Sequence, residues 1–146
     1  MDKFNFGSNL VNTSGATTLS PTAKLVGLYF SAHWCPPCRG FTPVLSEFYK
    51  TVNKDEKVLE IIFVSSDKDD EAFNEYYGTM PWIALDFKER DKKAEWSKTF
   101  GINGIPTLVL LKSDGTKLID NARGDVAGAG NDAGNCLKVV QGWLQK

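Results

Sequence analysis

Hydrophobic residues fall along this chain in two kinds of run. Residues 25–31 (LVGLYFS) and 58–66 (VLEIIFVSS) are apolar or aromatic at most positions. A short continuous run of that kind is what a strand buried on both faces requires. Residues 82–87 (WIALDF) and 107–112 (TLVLLK) are shorter runs of the same type. Elsewhere the apolar residues are spaced. Phe41, Val44, Leu45, Phe48 and Val52 share one stripe of a helix, and Pro43 inside that pattern is expected to kink it. Residues 67–80 read as a helix with acidic residues in its first turn, where the helix dipole favours them. Residues 91–101 read as a helix closed by Gly101. Ser113-Asp114-Gly115, between 107–112 and 116–120, is a hairpin signal. Residues 127–134 (AGAGNDAG) read as a flexible loop, and Leu137, Val140, Trp143 and Leu144 mark a closing amphipathic helix. Strands alternating with helices, followed by a hairpin, predict an α/β fold with a mixed central sheet.

Composition narrows the function. A chain of 146 residues predicts one domain over 1–146, and 42% hydrophobic residues supply a core without cross-links. A formal net charge of -1 argues against nucleic acid or an anionic membrane as partner. No apolar run approaches the roughly 20 residues of a membrane span. The first twenty residues lack a basic stretch followed by an apolar one, so no secretory signal is expected. Three cysteines do not make a disulfide framework. The expected setting is therefore a reducing compartment, the cytoplasm with the nucleus as an alternative, and the expected state is a monomer.

The stretch YFSAHWCPPCRGFTP (29–43) holds two of the three cysteines and the only histidine, at a strand-to-helix junction. A thiol at a helix entry faces unpaired backbone N–H groups and the positive end of the macrodipole, which stabilise its thiolate. The thiolate is the nucleophile. Cys35 is therefore the candidate attacking group. Cys38, one turn on, is the candidate resolving thiol. Pro36 and Pro37 suit a rigid first turn, and Trp34 supplies a flat apolar wall. Two other readings of the cysteines are structural. They are either inert core residues, or part of a zinc site made from His33, Cys35, Cys38 and Cys136. A single Cys-x-x-Cys favours redox chemistry over either, His33 is read as an exposed loop residue, and Cys136 is read as a packing residue. In GINGIPTLVLL (101–111), Pro106 opens a strand after a glycine-rich turn. A cis Ile105–Pro106 bond is expected there, turning the Ile105 backbone towards the dithiol, where its edge pairs with an extended substrate. Met80–Pro81 is expected to be trans.

Together these residues resemble the thioredoxin superfamily, in its nucleoredoxin and tryparedoxin branch. The resemblance rests on YFSAHWCPPCRGFTP, EIIFVSSDKDDEAFNEYY, MPWIALDF and GINGIPTLVLL, within residues 25–111. It implies a thioredoxin-like fold, a central mixed sheet flanked by helices, with a strand extension at the N-terminus. It also implies a thiol-disulfide oxidoreductase whose Cys35–Cys38 disulfide needs no metal or organic cofactor. Trp34, Cys35, Pro36, Pro37 and Cys38 match the redox motif, and Pro106 matches the cis-proline. Protein disulfides are the implied substrates, a peroxidase among them. The implied electron donor is trypanothione, glutathione or a thioredoxin-reductase-type system. A redox-sensitive binding module of nucleoredoxin type is the alternative function, and a zinc-stabilised structural domain a minor one. Two departures stand out. Tyr29 occupies the position where ordinary thioredoxins carry a buried aspartate, and tyrosine is a poor base at neutral pH. Ser66, before Asp67, stands where tryparedoxins carry a tryptophan. Arg123 falls near the position of a binding arginine in that branch.

Overall fold

The computed structural model describes Phe6 and residues 9–20, 22–130 and 132–146. The two long apolar runs form the strands β3 (Leu25–Ser31) and β4 (Leu59–Ser65), parallel neighbours in the middle of one sheet. Before them lie the short strands β1 (Leu10–Asn12) and β2 (Gly15–Thr17). After them come β5 (Ile83–Leu85), β6 (Thr107–Lys112) and β7 (Lys117–Ile119). Their order across the sheet is β2-β1-β5-β4-β3-β6-β7. The β3–β4–β5 block is parallel, while β6, β7 and the N-terminal β1–β2 pair run antiparallel to their neighbours. The sheet is therefore mixed, with a strand extension at the N-terminus.

Five helices flank the sheet among the described residues: α1 (Pro36–Val52), α2 (Asp70–Tyr77), α3 (Arg90–Thr99), α4 (Arg123–Ala129) and α5 (Ala133–Leu144). The period of two along each strand sorts its side chains between the two layers. Leu25 and Tyr29 of β3, Leu59, Ile61 and Phe63 of β4, and Leu108 and Leu110 of β6 pack with α1, α2, α4 and α5. Val26, Leu28, Phe30, Ile62, Val64, Val109 and Leu111 pack on the other face, with Trp96 of α3. All seven residues of both β3 and β4 are buried, which explains why the sequence shows no alternation there. Gly27 is needed in this packing, since a Cβ on it would stand 2.8 Å from Leu108 Cδ1.

The sequence reading is corrected at one place. Residues 127–129, read as part of a flexible loop, are the end of α4, and Asp132 caps α5 by accepting from the Asn135 N–H. Burial of Val126 and Ala129 between α1 and α5 outweighs the poor helix propensity of Gly124 and Gly128. Helix α1 begins at Pro36, as expected from Pro36 and Pro37 in its first turn, five residues ahead of the apolar stripe. Pro43 does lie inside α1, where it has no N–H to offer.

Phe63 is the hub of the α1–α2 side. Its ring meets Tyr29, Phe73, Tyr76 and Tyr77 at centroid distances of 5.5–6.3 Å. Phe63→Ala is expected to destabilise the fold by about 3–5 kcal/mol, and Phe63→Leu by markedly less. Urea midpoints of the two variants check this.

Candidate functional site

Strand β3 ends at Ser31, and five residues later α1 begins. Cys35 is the N-cap of α1, and Pro36 and Pro37 fill the first two helical positions, where a missing N–H leaves nothing unpaired. The Cys35 sulfur accepts the Cys38 N–H at 3.4 Å, so the helix terminus donates to this thiol. Both thiols are free, Cys35 being 5% exposed and Cys38 wholly enclosed. Burial pushes the Cys38 thiol up to about 11, with the hydrogen bond to Cys35 adding to it and one from Ser31 opposing it. Cys38 is therefore a neutral thiol at physiological pH.

Ile105–Pro106 is cis, and Met80–Pro81 is trans. The Cys35 sulfur lies 3.9 Å from the Ile105 carbonyl oxygen, and the Ile105 side chain packs on Ala32, Cys35 and Cys38. The sheet brings this about, since Phe30 of β3 pairs with Thr107 of β6. A cleft of about 600 Å³ opens on the same side, lined by Ile105, Pro106, Thr107, Asn121 and Arg123. Arg123 is the first residue of α4, its guanidinium over the Phe41 ring at 5.8 Å.

The loop after β4 braces the other side. Trp34 is 56% exposed, and its indole N–H donates to the Ser66 carbonyl at 2.9 Å. Asp67 turns inwards. Its carboxylate accepts the His33 N–H and the Ser65 hydroxyl, each at 2.7 Å. Arg90 holds the same loop, donating to the Ser65 carbonyl at 2.8 Å. Asp67 thus positions the loop, with both carboxylate oxygens accepting within the protein. His33 is half-buried, its ring stacked on Tyr76, and is not the exposed loop residue expected from sequence. Stacking supplies the apolar contact that a lone loop histidine would lack.

Tyr29 lies beneath α1 with its hydroxyl 2.7 Å from Thr42 Oγ1. Burial raises its pKa far above the ordinary tyrosine value, so it does not serve as a base. Cys136 is buried on α5, 101 positions after Cys35, its thiol donating to the Gly130 carbonyl at 3.8 Å. His33, Cys35, Cys38 and Cys136 do not converge, and no group among the described residues is arranged to hold a metal ion. Ser31, Thr42, Ser65, Tyr76 and Arg90 belong to the site and were not marked by the sequence. Ser31 and Thr42 had a faint signal: Ser31 lies two residues beyond Tyr29 on a strand, and Thr42 four beyond Cys38 on a helix. Tyr76 and Arg90 had none.

Residues 23–117 match the family model described as thioredoxin-like. The chain belongs to the thioredoxin-like family. A tryparedoxin of Trypanosoma brucei brucei is 49% identical over 108 residues, which are 73% of this chain and 74% of that protein. A probable nucleoredoxin 1 of Arabidopsis thaliana is also 49% identical, over 110 residues, 75% of this chain but only 19% of that protein. A solved tryparedoxin II, complexed with glutathionylspermidine, superposes with a TM-score of 0.77 at 36% identity, covering 84% of this chain and 87% of that one. Tryparedoxins and nucleoredoxins are thus among the relatives of this chain. Its fold and its Cys-x-x-Cys pair are those of a thiol-disulfide oxidoreductase.

The unequal burial of the two thiols has a measurable consequence. Alkylation of the reduced protein at mildly acidic pH is expected to label Cys35 first. Labelling of Cys38 is expected to climb with pH towards about 11, because a raised thiol pKa delays its thiolate to high pH. Peptide mapping after timed alkylation reads both.

Proposed function

We propose that this protein reduces protein disulfides, with Cys35 attacking and Cys38 resolving. The observation that carries the reading is the Cys35 sulfur at the α1 entry, accepting the Cys38 N–H and facing the Ile105 carbonyl. The Cys35 thiolate attacks one sulfur of a substrate disulfide. A Cys35–substrate bond forms and one substrate thiolate leaves. Cys38 then attacks the Cys35 sulfur, forming Cys35–Cys38 and releasing the second substrate thiol. Two electrons pass to the substrate, and an upstream thiol returns them to the protein disulfide. Trp34, Pro36, Pro37, Ile105 and Pro106 shape the surface around this exchange. The cis bond leaves the Ile105 backbone beside the sulfur, where an extended substrate can pair with it. A peroxidase fits as one such substrate. The protein works as a monomer in a reducing compartment, the cytoplasm or the nucleus, where an isolated dithiol is kept supplied with electrons.

The donor we propose is a general thiol and not trypanothione alone. Ser66 replaces the tryptophan platform that the tryparedoxin branch presents, and in this protein its carbonyl is taken by Trp34. Losing an aromatic wall removes cation–π attraction for a polyamine, about 0.5–2 kcal/mol. That is a factor of roughly two to thirty in affinity. The cleft with Arg123 suits a carboxylate-bearing thiol such as glutathione.

Insulin reduction with a small dithiol as donor tests the exchange. Cys35→Ser is expected to abolish it, and Cys38→Ser to accumulate mixed disulfides at Cys35 visible by mass spectrometry. Full activity of Cys35→Ser would remove the assignment. For the donor, steady-state rates are expected to be similar with trypanothione, glutathione and a reduced thioredoxin system at matched concentration. A strong preference for trypanothione that Arg123→Ala abolishes would show a dedicated site.

A further inference from the structure

Trp34, the residue directly before Cys35, is 56% exposed. The other large apolar side chains left in water among the described residues, Leu137 and Leu144, lie on α5. An exposed tryptophan at a reactive turn is a docking platform, because few side chains bring as much contact area to a partner. A platform serves only if it is held. The one hydrogen bond of the Trp34 side chain among the described residues goes to the Ser66 carbonyl, at 2.9 Å. The direction of the indole therefore depends on the Ser65–Asp67 loop.

Two consecutive peptide units of that loop are held at both ends. The Ser65–Ser66 unit accepts from Arg90 Nη1 at 2.8 Å and gives its N–H to the Ser31 carbonyl at 2.9 Å. The Ser66–Asp67 unit accepts from the Trp34 indole and gives its N–H to Ser65 Oγ at 2.9 Å. A peptide unit is planar, so fixing the Ser65 carbonyl fixes the plane from which the Ser66 backbone sets out. Most of these partners lie on β3, β4 and the turn at 32–35. Arg90 is supplied by a distant element: it opens α3, 25 positions beyond Ser65.

The Arg90 side chain is itself rigidly placed. Its Nε donates to the Phe87 carbonyl at 2.6 Å, and its guanidinium carbon lies 3.9 Å from the centre of the Phe87 ring. A planar fork with one prong on its own turn and one face on a ring delivers the other prong in a fixed direction. A lysine ammonium on a flexible stem does not. Nη2 is buried without a partner among the described residues. An orphaned donor costs stability, so stability alone does not account for this fork.

We propose that Arg90 is a positioning residue for substrate docking: by holding the Ser65 carbonyl it aims, through Ser66, the Trp34 indole at the protein whose disulfide Cys35 attacks. The proposal rests on the disulfide reduction given above and adds no chemical step to it. Arg90 donates to Phe87 and Ser65 and not to either thiol, so it acts on how a substrate is held and not on how fast the held disulfide is exchanged.

The test compares Arg90→Met and Arg90→Lys with the intact chain. Methionine keeps an apolar stem, lysine keeps the charge, and neither keeps the fork. In insulin reduction with a saturating small dithiol, both are expected to raise KM about fivefold or more and to change kcat by less than about twofold. Trp34→Ala is expected to raise KM at least as much. Adding Arg90→Met to it is expected to raise KM no further, since both act on one contact. The second readout needs no activity. The indole N–H resonance of Trp34, assigned by its loss in Trp34→Ala, is expected to exchange with solvent at least about tenfold faster in both Arg90 variants. Trp82, Trp96 and Trp143, each 2% exposed, are the internal references. A KM that stays within about twofold in either Arg90 variant would overturn the proposal. So would a Trp34 indole that exchanges no faster, or a further rise in KM when Arg90→Met joins Trp34→Ala. Faster exchange of all four indoles together with a fall in kcat is the mark of a merely structural role and would overturn it too. Failure of the intact chain to reduce insulin would instead overturn the disulfide reduction itself, so the two failures are told apart.

Discussion

The antiparallel register between β3 and β6 is the constraint on which the site depends. Phe30 pairs with Thr107 and Tyr29 with Leu108, and on the other side Ser31 pairs with Ser65 of β4. These pairings place the turn at 32–35 between the Ile105–Pro106 bond and the Ser65–Asp67 loop. A slip of one residue would reverse the faces of every side chain on β3. Tyr29 and Ser31 would leave the α1 layer, and Phe30 would be driven into it. Because both faces of β3 are fully packed, such a slip has nowhere to put its large side chains. The core and the chemistry are therefore held by the same hydrogen-bond ladder.

The same geometry makes the two thiols different. Both sit in the first turn of α1, but they enter different surroundings. Cys35 caps the helix just beneath the surface, where a backbone N–H donates to it and an exposed indole follows on its neighbour Trp34. Cys38 is wholly enclosed, packing on Ala32, Cys35 and Ile105, and its carbonyl accepts from the buried hydroxyls of Thr42 and Tyr29. Burying hydroxyls is costly unless they pair, and here they pair with one another. Such a network keeps polar atoms at the centre of an aromatic core with a defined geometry. Asp67 follows the same logic one strand away. A buried carboxylate is tolerated because it accepts from the His33 backbone and the Ser65 hydroxyl, and in return it fixes the loop that carries Trp34.

Much of this was legible in the chain itself. Strands β3 and β4 were readable because burial on both faces leaves uninterrupted apolar runs. The dithiol was readable because proline next to cysteine at a helix entry is a local arrangement with a local physical reason. The Gly104-Ile105-Pro106-Thr107 turn was readable for the same cause. Helix α4 was not, because its glycines argue against a helix and its stabilising contacts, through Val126 and Ala129, are made with distant elements. His33 was misplaced because direction cannot be read from a residue's type. Its ring finds Tyr76 only once α2 is packed beside the turn at 32–35.

The sequence by itself determined which segments are buried, where the strand turns into the helix, and that two thiols stand one turn apart at that turn. Those features follow from side-chain periodicity and from the backbone preferences of proline and glycine, which act over a few residues. Only the tertiary structure decided what surrounds each thiol. Ile105 reaches Cys35 across 70 positions, and Tyr76 reaches Ser31 across 45, because β6 and α2 are brought there by the sheet order and its register. The free energy that fixes those distances comes from packing the whole core, and no short stretch of the chain contains it.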